Sequence, residues 1–123
     1  KNHEGGFNMD CLFCKIANKE IPSKKVYEDE FCYAFEDIAP AAPVHILFIP
    51  KEHISGMGGI TPENSAVVSK IFEAISRIAG DMGLDGGYRV VSNCGADAGQ
   101  TVFHLHFHLL AGKPLGGMCS IGG

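Results

Sequence analysis

The sequence predicts an α+β fold, in which helix covers one face of an antiparallel sheet. One stretch, residues 62–82, repeats apolar residues at helical spacing over several turns. The other apolar stretches are short, as are most connections between them, which favours antiparallel pairing of strands. A length of 123 residues suits one domain, and 46% hydrophobic with 20% charged residues is typical of a folded globular chain.

Two aromatic-rich strands are predicted around an acidic turn near the start of the chain. Alternation places Phe31, Tyr33 and Phe35 on one face of the resulting hairpin. The elements predicted before the long helix are, in order, a helix over 11–18 capped by Asp10, strands over 26–28 and 31–35, a proline-containing loop over 37–43, and a central strand over 44–49 closed by Pro50.

The long helix has a clear start signal, because Thr61 is a good N-cap and Pro62 suits the first helical position. Its apolar stripe would face a core or an interface and is formed by Val67, Ile71, Ile75, Ile78 and Met82. A strand over 88–93 and a glycine-containing loop over 94–100 follow the helix. The tail, residues 113–123, has no regular pattern.

Residues 103–109 alternate phenylalanine or leucine with histidine. In a strand, successive side chains point to opposite faces, so the apolar residues would face the core and His104, His106 and His108 the other side, roughly 6.6 Å apart per two-residue step. One histidine on a strand is ordinarily a solvated or hydrogen-bonded side chain. Three on one face indicate chemistry, since imidazole binds metals and acts as a nucleophile or as a proton donor.

Composition excludes several classes of protein. The net charge of −4 and the lack of a basic cluster argue against binding duplex nucleic acid. No apolar run approaches the ~18 residues of a membrane span, and the start shows no signal-peptide pattern. Five cysteines, an odd number, are typical of reduced thiols and of a cytoplasmic protein. Residues 1–9 are expected to be a flexible lead, which removes His3 from the chemistry.

Cys11 and Cys14 form a Cys-x-x-Cys pair, which has two interpretations. It offers two thiolates at a spacing used by zinc sites, but a complete site needs two further ligands. A lone pair of this kind in a cytosolic protein is also often without metal. The other three cysteines are interpreted as structural or incidental: Cys32, Cys94 and Cys119.

The histidine stretch resembles the His-x-His-x-His signature of the histidine triad, or HIT, family of nucleotide-binding proteins. The likeness runs from about residue 11 to residue 112 and is closest to the purine nucleoside phosphoramidases, in their bacterial zinc-containing form. The other motifs that match in order and spacing are Phe35-Glu36-Asp37-Ile38-Ala39-Pro40, Pro43-Val44-His45, Ile49-Pro50-Lys51 followed by His53-Ile54, Asn93 with Gly95, and Gly99-Gln100-Thr101.

The resemblance implies a HIT domain over residues 10–112, with a five-stranded antiparallel sheet and one long and one short helix. Two subunits would join into a ten-stranded homodimer, with the tail 113–123 near the partner's site. The reaction would be hydrolysis at the α-phosphate of AMP or GMP conjugates, with no catalytic cofactor and with neither nucleic acid nor membrane as partner.

The resemblance also assigns catalytic roles. His106 would attack phosphorus and form a nucleotidyl-histidine that water then resolves. His108, the Thr101 amide and the side chains of Gln100 and Asn93 would stabilise charge on the phosphate oxygens. The Thr101 hydroxyl could pass a proton to the leaving group, and two further histidines, His104 and His45, would support the nucleophile.

The nucleotide would be held at several further positions. Asp37 would accept hydrogen bonds from the ribose hydroxyls, and Gly99 would let the backbone approach the phosphate. Taken alone, Asp37 is typical of a loop cap and Gly99 of a turn. The purine pocket would be walled by residues that, taken singly, are typical of an ordinary core: Leu12, Phe13, Ile16, Phe35 and Ile38.

His53 and His104 stand where zinc-containing members of the family have their two histidine ligands. The resemblance therefore implies a four-ligand set with Cys11 and Cys14, which would be a closed and thus structural zinc site. Family members without these cysteines work without metal, so the zinc would not be the catalyst. Without zinc, His104 is expected to hydrogen-bond His45, and both would then support His106.

Two alternatives stay open at this point. One is a dinucleoside polyphosphate hydrolase or phosphorylase of the same family, which shares the covalent step. The other is a non-catalytic nucleotide-binding or zinc-binding module. The tail contains no tryptophan, whereas the phosphoramidase branch often ends in Trp-Pro-Pro-Gly. Because of this departure, the sequence does not predict which leaving group the enzyme would accept.

Overall fold

A computed structural model of the chain describes residues 10–117. Five strands and two α-helices follow one another as α1 (Leu12–Ala17), β1 (Lys25–Glu28), β2 (Cys32–Glu36), β3 (Val44–Pro50), α2 (Ala66–Asp81), β4 (Tyr88–Val91) and β5 (Phe107–Ala111). Short 3-10 turns at Met57–Gly59 and Ala96–Ala98 lie in the connections. The sequence expectations for residues 1–9 and for Cys119 lie outside the described part of the chain.

The strands form one antiparallel sheet in the order β1-β2-β3-β5-β4. The apolar run of β3 lies at the centre and pairs with β2 on one side and β5 on the other. This architecture confirms the predicted α+β fold with a five-stranded sheet, one long helix and one short helix. No helix within residues 10–117 is long and apolar enough to cross a membrane.

The two faces of the sheet are covered differently. On one face, Ile46, Phe48 and Leu109 pack against the buried stripe of α2, which includes Ile71 and Ile75. On the other face, α1 contributes to a smaller cluster of Phe13, Ile16, Tyr33, Phe35, Leu47 and Ile49. The histidines lie on this second face, beside the smaller cluster, so α2 builds the core while the opposite face remains for a site.

The long helix begins at Ala66, four residues later than predicted, and Met82 lies beyond its end with 46% of its surface exposed. Before the helix, the Asn64 side chain accepts from the Thr61 amide at 2.7 Å, and Val67 and Val68 donate to carbonyls three residues back. Side chains such as Asn compete with helical hydrogen bonding in this way. The predicted first turn is therefore a series of tight turns.

The histidine strand is shorter than predicted, since β5 begins at Phe107. At that point β4 has ended, at Val91 opposite His108. The last pair with β3 is Phe48 with Phe107, two residues before Pro50, which has no amide to donate. The alternation nevertheless continues back to Leu105, whose side chain is buried in the core. Phe103 is 54% exposed and does not face the core, contrary to the prediction.

Two further boundaries differ from the prediction. Phe31 precedes β2 and is exposed, because Asp29 accepts from the amides of both Phe31 and Cys32 and forms a tight turn there. Tyr33 and Phe35 do share one buried face. The strand predicted over 88–93 ends at Val91.

Gly112, directly after β5, has a positive φ of 102°, and a Cβ placed there would lie 2.8 Å from the Pro43 Cβ. We expect Gly112→Ala to destabilise the fold by about 1–3 kcal/mol through backbone strain. Gly80 in α2 is the matched control: a Cβ placed there would have no atom within 4 Å, and Gly80→Ala should stabilise by about 0.5–1 kcal/mol. Urea unfolding measures both, and equal stability of the two variants would contradict the argument.

Candidate active site

Four histidines lie together on the face of the sheet opposite α2. The His108 ring centroid is 5.1 Å from that of His106 and 5.1 Å from that of His45. His104 lies two residues before His106, and all four side chains are buried, with His104 fully so. The rings of His45, His106 and His108 are thus close enough to contact one small ligand together.

His106 has a defined proton position. Its Nδ1 lies 2.7 Å from the backbone carbonyl of His104, and a carbonyl can only accept, so Nδ1 carries the proton. Nε2 is then a bare lone pair, with no hydrogen bond to it among residues 10–117. Phe13 packs edge-on against the ring at 5.1 Å. Burial lowers the pKa of His106, which keeps the ring neutral and nucleophilic.

His45 and His108 form a directed hydrogen-bond chain. The Ala41 amide donates to His45 Nδ1 at 2.9 Å, so the His45 proton lies on Nε2, which donates to His108 Nδ1 at 2.9 Å. The His108 proton consequently lies on Nε2, where it is a hydrogen-bond donor. His45 therefore pairs with His108, and the expected bond between His45 and His104 is wrong, because Pro50 and the cysteines occupy both nitrogens of His104.

Asp37 follows β2 directly and has two contacts. Its Oδ1 accepts from the Ala39 amide at 2.8 Å, which is the loop-cap arrangement, and its Oδ2 lies 3.4 Å from His45 Nε2. A cavity of about 300 Å³ lies beside Asp37, but Val26 and Ile46 also line it, so it lies towards the α2 side of the sheet. Oδ2 can still accept a hydrogen bond from a ligand, because the His45 Nε2 proton is directed at the neighbouring imidazole.

The five residues predicted to wall a purine pocket fall into two groups. Phe13, Ile16 and Phe35 are buried together on the histidine face. Leu12 is 45% exposed, and Ile38 is fully exposed on the loop after Asp37. The first three can form the floor of a pocket, whereas Ile38 contacts little of the chain in this arrangement.

The loop before the histidines contains the predicted phosphate contacts. Asn93 has a buried Nδ2 with no hydrogen-bond partner among residues 10–117, which leaves a donor for a ligand. Gly99 has a φ of 89°, which favours glycine. Thr101 is exposed.

Gln100 has a different role from the predicted phosphate contact. Its Nε2 donates to the carbonyls of Ser55 and Val102, and its Oε1 accepts from the Gly95 amide. The buried amide is thus fully used in holding the loop closed. Its side chain could contact a phosphate only by breaking these bonds, so the prediction for the side chain is corrected.

Three residues to which the sequence assigned no role in the site position the histidines. The Ser92 hydroxyl donates to the His106 carbonyl at 2.8 Å, the Pro50 carbonyl accepts from His104 Nε2 at 2.8 Å, and the Ala41 amide sets the His45 proton. A serine at the end of an apolar strand, such as Ser92, could have been recognised from the sequence as a candidate hydrogen-bond donor to the neighbouring strand. The other two act through the backbone, which no residue pattern identifies.

A second cluster lies beside the first and unites Cys11, Cys14, His53 and His104, whose ligand atoms are all within 4.8 Å of one another. The Cys11 and Cys14 sulfurs lie 3.2 and 3.5 Å from His104 Nδ1, and Cys14 Sγ lies 3.4 Å from His53 Nδ1. Tetrahedral zinc with ordinary bond lengths separates sulfur and nitrogen ligands by about 3.6 Å. The four side chains could hold such an ion with little movement.

The proton on His104 also suits a metal. Because Nε2 donates to the Pro50 carbonyl, Nδ1 is bare and faces the thiols, and a metal-binding histidine typically has this second hydrogen bond. Burial lowers the pKa of His104 to about 4, which keeps the ring neutral. The set Asp37, His45 and His108 also lies within 4.8 Å, but the His45 nitrogen that faces it carries the proton, so it is a hydrogen-bond chain.

The remaining described cysteines lie apart from both clusters. Cys32 is fully buried beneath α2, where burial raises the pKa of its thiol to about 12. Cys94 is exposed. Both match the structural or incidental interpretation.

The fold places the protein among the α+β proteins that have a five-stranded antiparallel sheet and a cluster of histidines on the face opposite the long helix. The HIT domain family model matches residues 18–115, so the chain belongs to the HIT family. Because the match begins at residue 18, it covers neither Cys11 nor Cys14. The family assignment therefore carries no information about the cysteine pair.

Solved structures of related proteins agree with the fold. A histidine triad protein from Clostridium difficile is 51% identical with a TM-score of 0.89, covering 91% of this chain and 98% of that one. A HIT family hydrolase from Clostridium thermocellum is 50% identical at 0.86, covering 89% and 96%. A histidine triad nucleotide-binding protein from Candida albicans is 39% identical at 0.73, covering 80% and 72%.

The hydrogen-bond chain predicts the protonation state of His45. Burial lowers the pKa of His45 from its ordinary 6.5, with Asp37 opposing the shift. At pH 6.5 we expect a mostly neutral ring with the proton on Nε2. The associated stability is complete above pH 6.5 and is lost as the pH falls towards the lowered pKa. Nitrogen NMR shifts of the imidazole measure the tautomer; a proton on Nδ1 would contradict the chain.

Proposed function

We propose that the protein is a hydrolase of nucleoside 5′-phosphoramidates and related AMP conjugates, acting at the α-phosphate. The main support is the bare Nε2 of His106, fixed by the 2.7 Å bond from Nδ1 to the His104 carbonyl. A neutral, oriented imidazole next to a second imidazole that carries a donor proton suits nucleophilic attack on phosphorus. The related Clostridium thermocellum protein is described as a hydrolase, which agrees with this proposal.

The reaction would proceed in two steps. His106 Nε2 forms a bond to phosphorus as the P–N or P–O bond to the leaving group breaks, and the leaving group takes a proton from the Thr101 hydroxyl. Water then attacks the phosphorus and breaks its bond to His106 Nε2; one proton of the water restores the Thr101 hydroxyl, and the nucleoside monophosphate is released. His108 Nε2, Asn93 Nδ2 and the Thr101 amide would stabilise the equatorial oxygens.

The nucleoside would lie over β2 and β3. Asp37 keeps an oxygen for the ribose hydroxyls, while Phe13, Ile16 and Phe35 supply an apolar floor for a purine. Leu12 and Ile38, both exposed, would close over the base when it binds. Gly99 would allow close approach of the phosphate, and Gln100 would hold the loop. The nucleotide-binding relative from Candida albicans supports a nucleotide ligand.

The cysteine cluster fits a structural zinc ion, and we propose that Cys11, Cys14, His53 and His104 bind it. The donor set of two thiols and two imidazoles is one that zinc prefers. When bound, the ion would neutralise the thiolates and tie the start of α1 to the segment before β5. His104 would then be held at both ring nitrogens, and its carbonyl would hold His106.

The edge strand β4 suggests a homodimer. An edge strand presents unpaired backbone groups, and Tyr88 and Val90 on β4 are 44% and 38% exposed. Pairing of two β4 strands would give the ten-stranded sheet implied by the resemblance. The four free cysteines within residues 10–117 support a reducing compartment such as the cytoplasm.

Replacing the nucleophile tests the main proposal. We expect His106→Ala to reduce kcat for adenosine 5′-phosphoramidate by about 10⁴-fold or more while AMP affinity changes by no more than about fivefold, since the variant removes the covalent step but leaves the pocket. Phe103→Ala, an exposed residue in the same segment, is the control and should keep full activity.

The wild-type protein separates the alternatives in the same assay. Rapid quenching should trap an adenylylated protein, and His106→Ala should show none. Faster turnover of a dinucleoside polyphosphate than of any phosphoramidate would favour the polyphosphate hydrolase. Nucleotide binding without turnover of any of these substrates would favour the alternative of a non-catalytic nucleotide-binding module.

Metal analysis tests the zinc site. Protein purified without chelator or histidine tag should contain about one zinc per chain, and Cys14→Ser should lose most of it and unfold at lower temperature. Cys94→Ser, which changes an exposed thiol away from the cluster, should keep both the metal and the stability. Less than about 0.2 zinc per chain in the wild type would remove the site from the proposal.

A further inference from the structure

Cys11 and Cys14 lie close enough to bond to each other as well as to a metal. Their sulfurs are within 4.8 Å of each other. The Cys14 amide donates to Cys11 Sγ at 3.4 Å, which turns the Cys11 sulfur back towards Cys14. A disulfide needs the two sulfurs roughly 2 Å apart, and a Cys-x-x-Cys pair is a common dithiol–disulfide couple. A side-chain movement alone would therefore convert the two metal ligands into a disulfide.

Solvent reaches one of the two sulfurs more easily than the other. Cys11 is partly exposed, whereas Cys14 is buried. A cavity of about 470 Å³ is lined by Cys11, His53 and Phe103, and it opens to solvent because the Phe103 side chain is 54% exposed. A small oxidant that enters this cavity would meet Cys11 first. One accessible and one shielded sulfur, held side by side, suit a stepwise oxidation to a disulfide.

The same two sulfurs hold the ring that supports the proposed nucleophile. They lie 3.2 and 3.5 Å from Nδ1 of His104, a fully buried ring. The His104 carbonyl lies 2.7 Å from His106 Nδ1 and orients that ring. The next amide, of Leu105, donates to the Ile54 carbonyl at 2.6 Å, beside the ligand His53. Each of these two adjoining segments thus carries one imidazole of the cysteine cluster.

A disulfide between Cys11 and Cys14 would remove the support of His104. It has neither a thiolate to bind zinc nor an S–H to donate to His104 Nδ1. A buried nitrogen without a partner is unfavourable, so the ring would reorient and move the carbonyl that orients His106. In the zinc site and the hydrolase proposed above, on which this inference rests, the reduced pair is the active form. We infer that Cys11 and Cys14 are a redox switch whose disulfide expels the metal and disables His106.

Hydrogen peroxide is an oxidant of the required class. The Cys11 thiolate attacks one peroxide oxygen, the O–O bond breaks and hydroxide leaves, which gives a sulfenic acid on Cys11. The Cys14 thiolate then attacks the Cys11 sulfur, the S–O bond breaks and a second hydroxide leaves. The two sulfurs together lose two electrons, both hydroxides take protons from solvent, and the metal leaves as Zn²⁺. A dithiol such as dithiothreitol returns the two electrons by thiol–disulfide exchange.

Peroxide treatment of the zinc-loaded protein tests the inference. We expect release of about one zinc per chain to a chromophoric chelator, with a loss of about 2 Da from the peptide that contains both cysteines. The kcat for adenosine 5′-phosphoramidate should fall about tenfold or more, and dithiothreitol with zinc should restore it to within about twofold. The imidazole nitrogen NMR shifts of His106 should change on oxidation and return on reduction, which gives a readout that does not depend on turnover.

Two variants are the controls. Cys94→Ser removes an exposed thiol away from the cluster and should respond to peroxide as the wild type does. Cys11→Ser leaves no pair, so dithiothreitol should restore neither metal nor activity after peroxide treatment.

Three results would overturn the inference: zinc that stays bound, a disulfide formed by other cysteines, or zinc release with unchanged His106 shifts. If the untreated protein turns over no nucleotide conjugate, the proposed reaction fails, and zinc release with the His106 shifts still decides whether the switch exists. If the untreated protein holds no zinc, the proposed metal site fails, and the inference falls with it.

Discussion

The hydrogen bond between His106 Nδ1 and the His104 carbonyl is the constraint on which the candidate site depends. An imidazole that rotated freely would present either nitrogen to a ligand. Here the carbonyl fixes the proton on Nδ1, so the opposite nitrogen is always the bare one. The position of this carbonyl depends on the His104 side chain, whose ring is fixed between the Pro50 carbonyl and the thiols of Cys11 and Cys14. The orientation of the proposed nucleophile is therefore set by contacts outside any substrate pocket.

Burial gives the histidines a second property, which is neutrality. His45, His104 and His106 all have lowered pKa values, and the main cause in each is loss of hydration of the charged form. At His45 a protonated ring would also oppose a hydrogen bond already made, because the Ala41 amide donates to His45 Nδ1. At His45 the directed bond and burial thus favour the same protonation state, and the donor at His108 follows from that state.

Alternation and helical spacing in the sequence were sufficient for the sheet and its two helices. The three alternating histidines and the Cys-x-x-Cys pair were also visible as local patterns, whereas His45 and His53 joined the two clusters only through the family resemblance. The sequence failed where the backbone decides. The strand began late because Pro50 has no amide and β4 ends at Val91. His45 paired with His108 and not with His104, since the diagonal register of β3 and β5 brings the first two together. Gln100 closes a loop by hydrogen bonds to the Gly95 amide and to the carbonyls of Ser55 and Val102. These are backbone groups, so the residue types do not predict the contacts.

The difference between the two faces explains why so small a chain can bury so many polar rings. The sixteen residues of α2 cover one face, and the larger of the two apolar clusters lies between this helix and the sheet. The other face has only the six residues of α1 and a small aromatic cluster, so its strands accept histidines at the cost of a smaller core. Each buried ring there is compensated by a hydrogen bond. Because those bonds run to carbonyls, amides and neighbouring rings, they hold the imidazoles in place without a second large helix over this face. A binding site for a small ligand requires this combination of fixed side chains and open space.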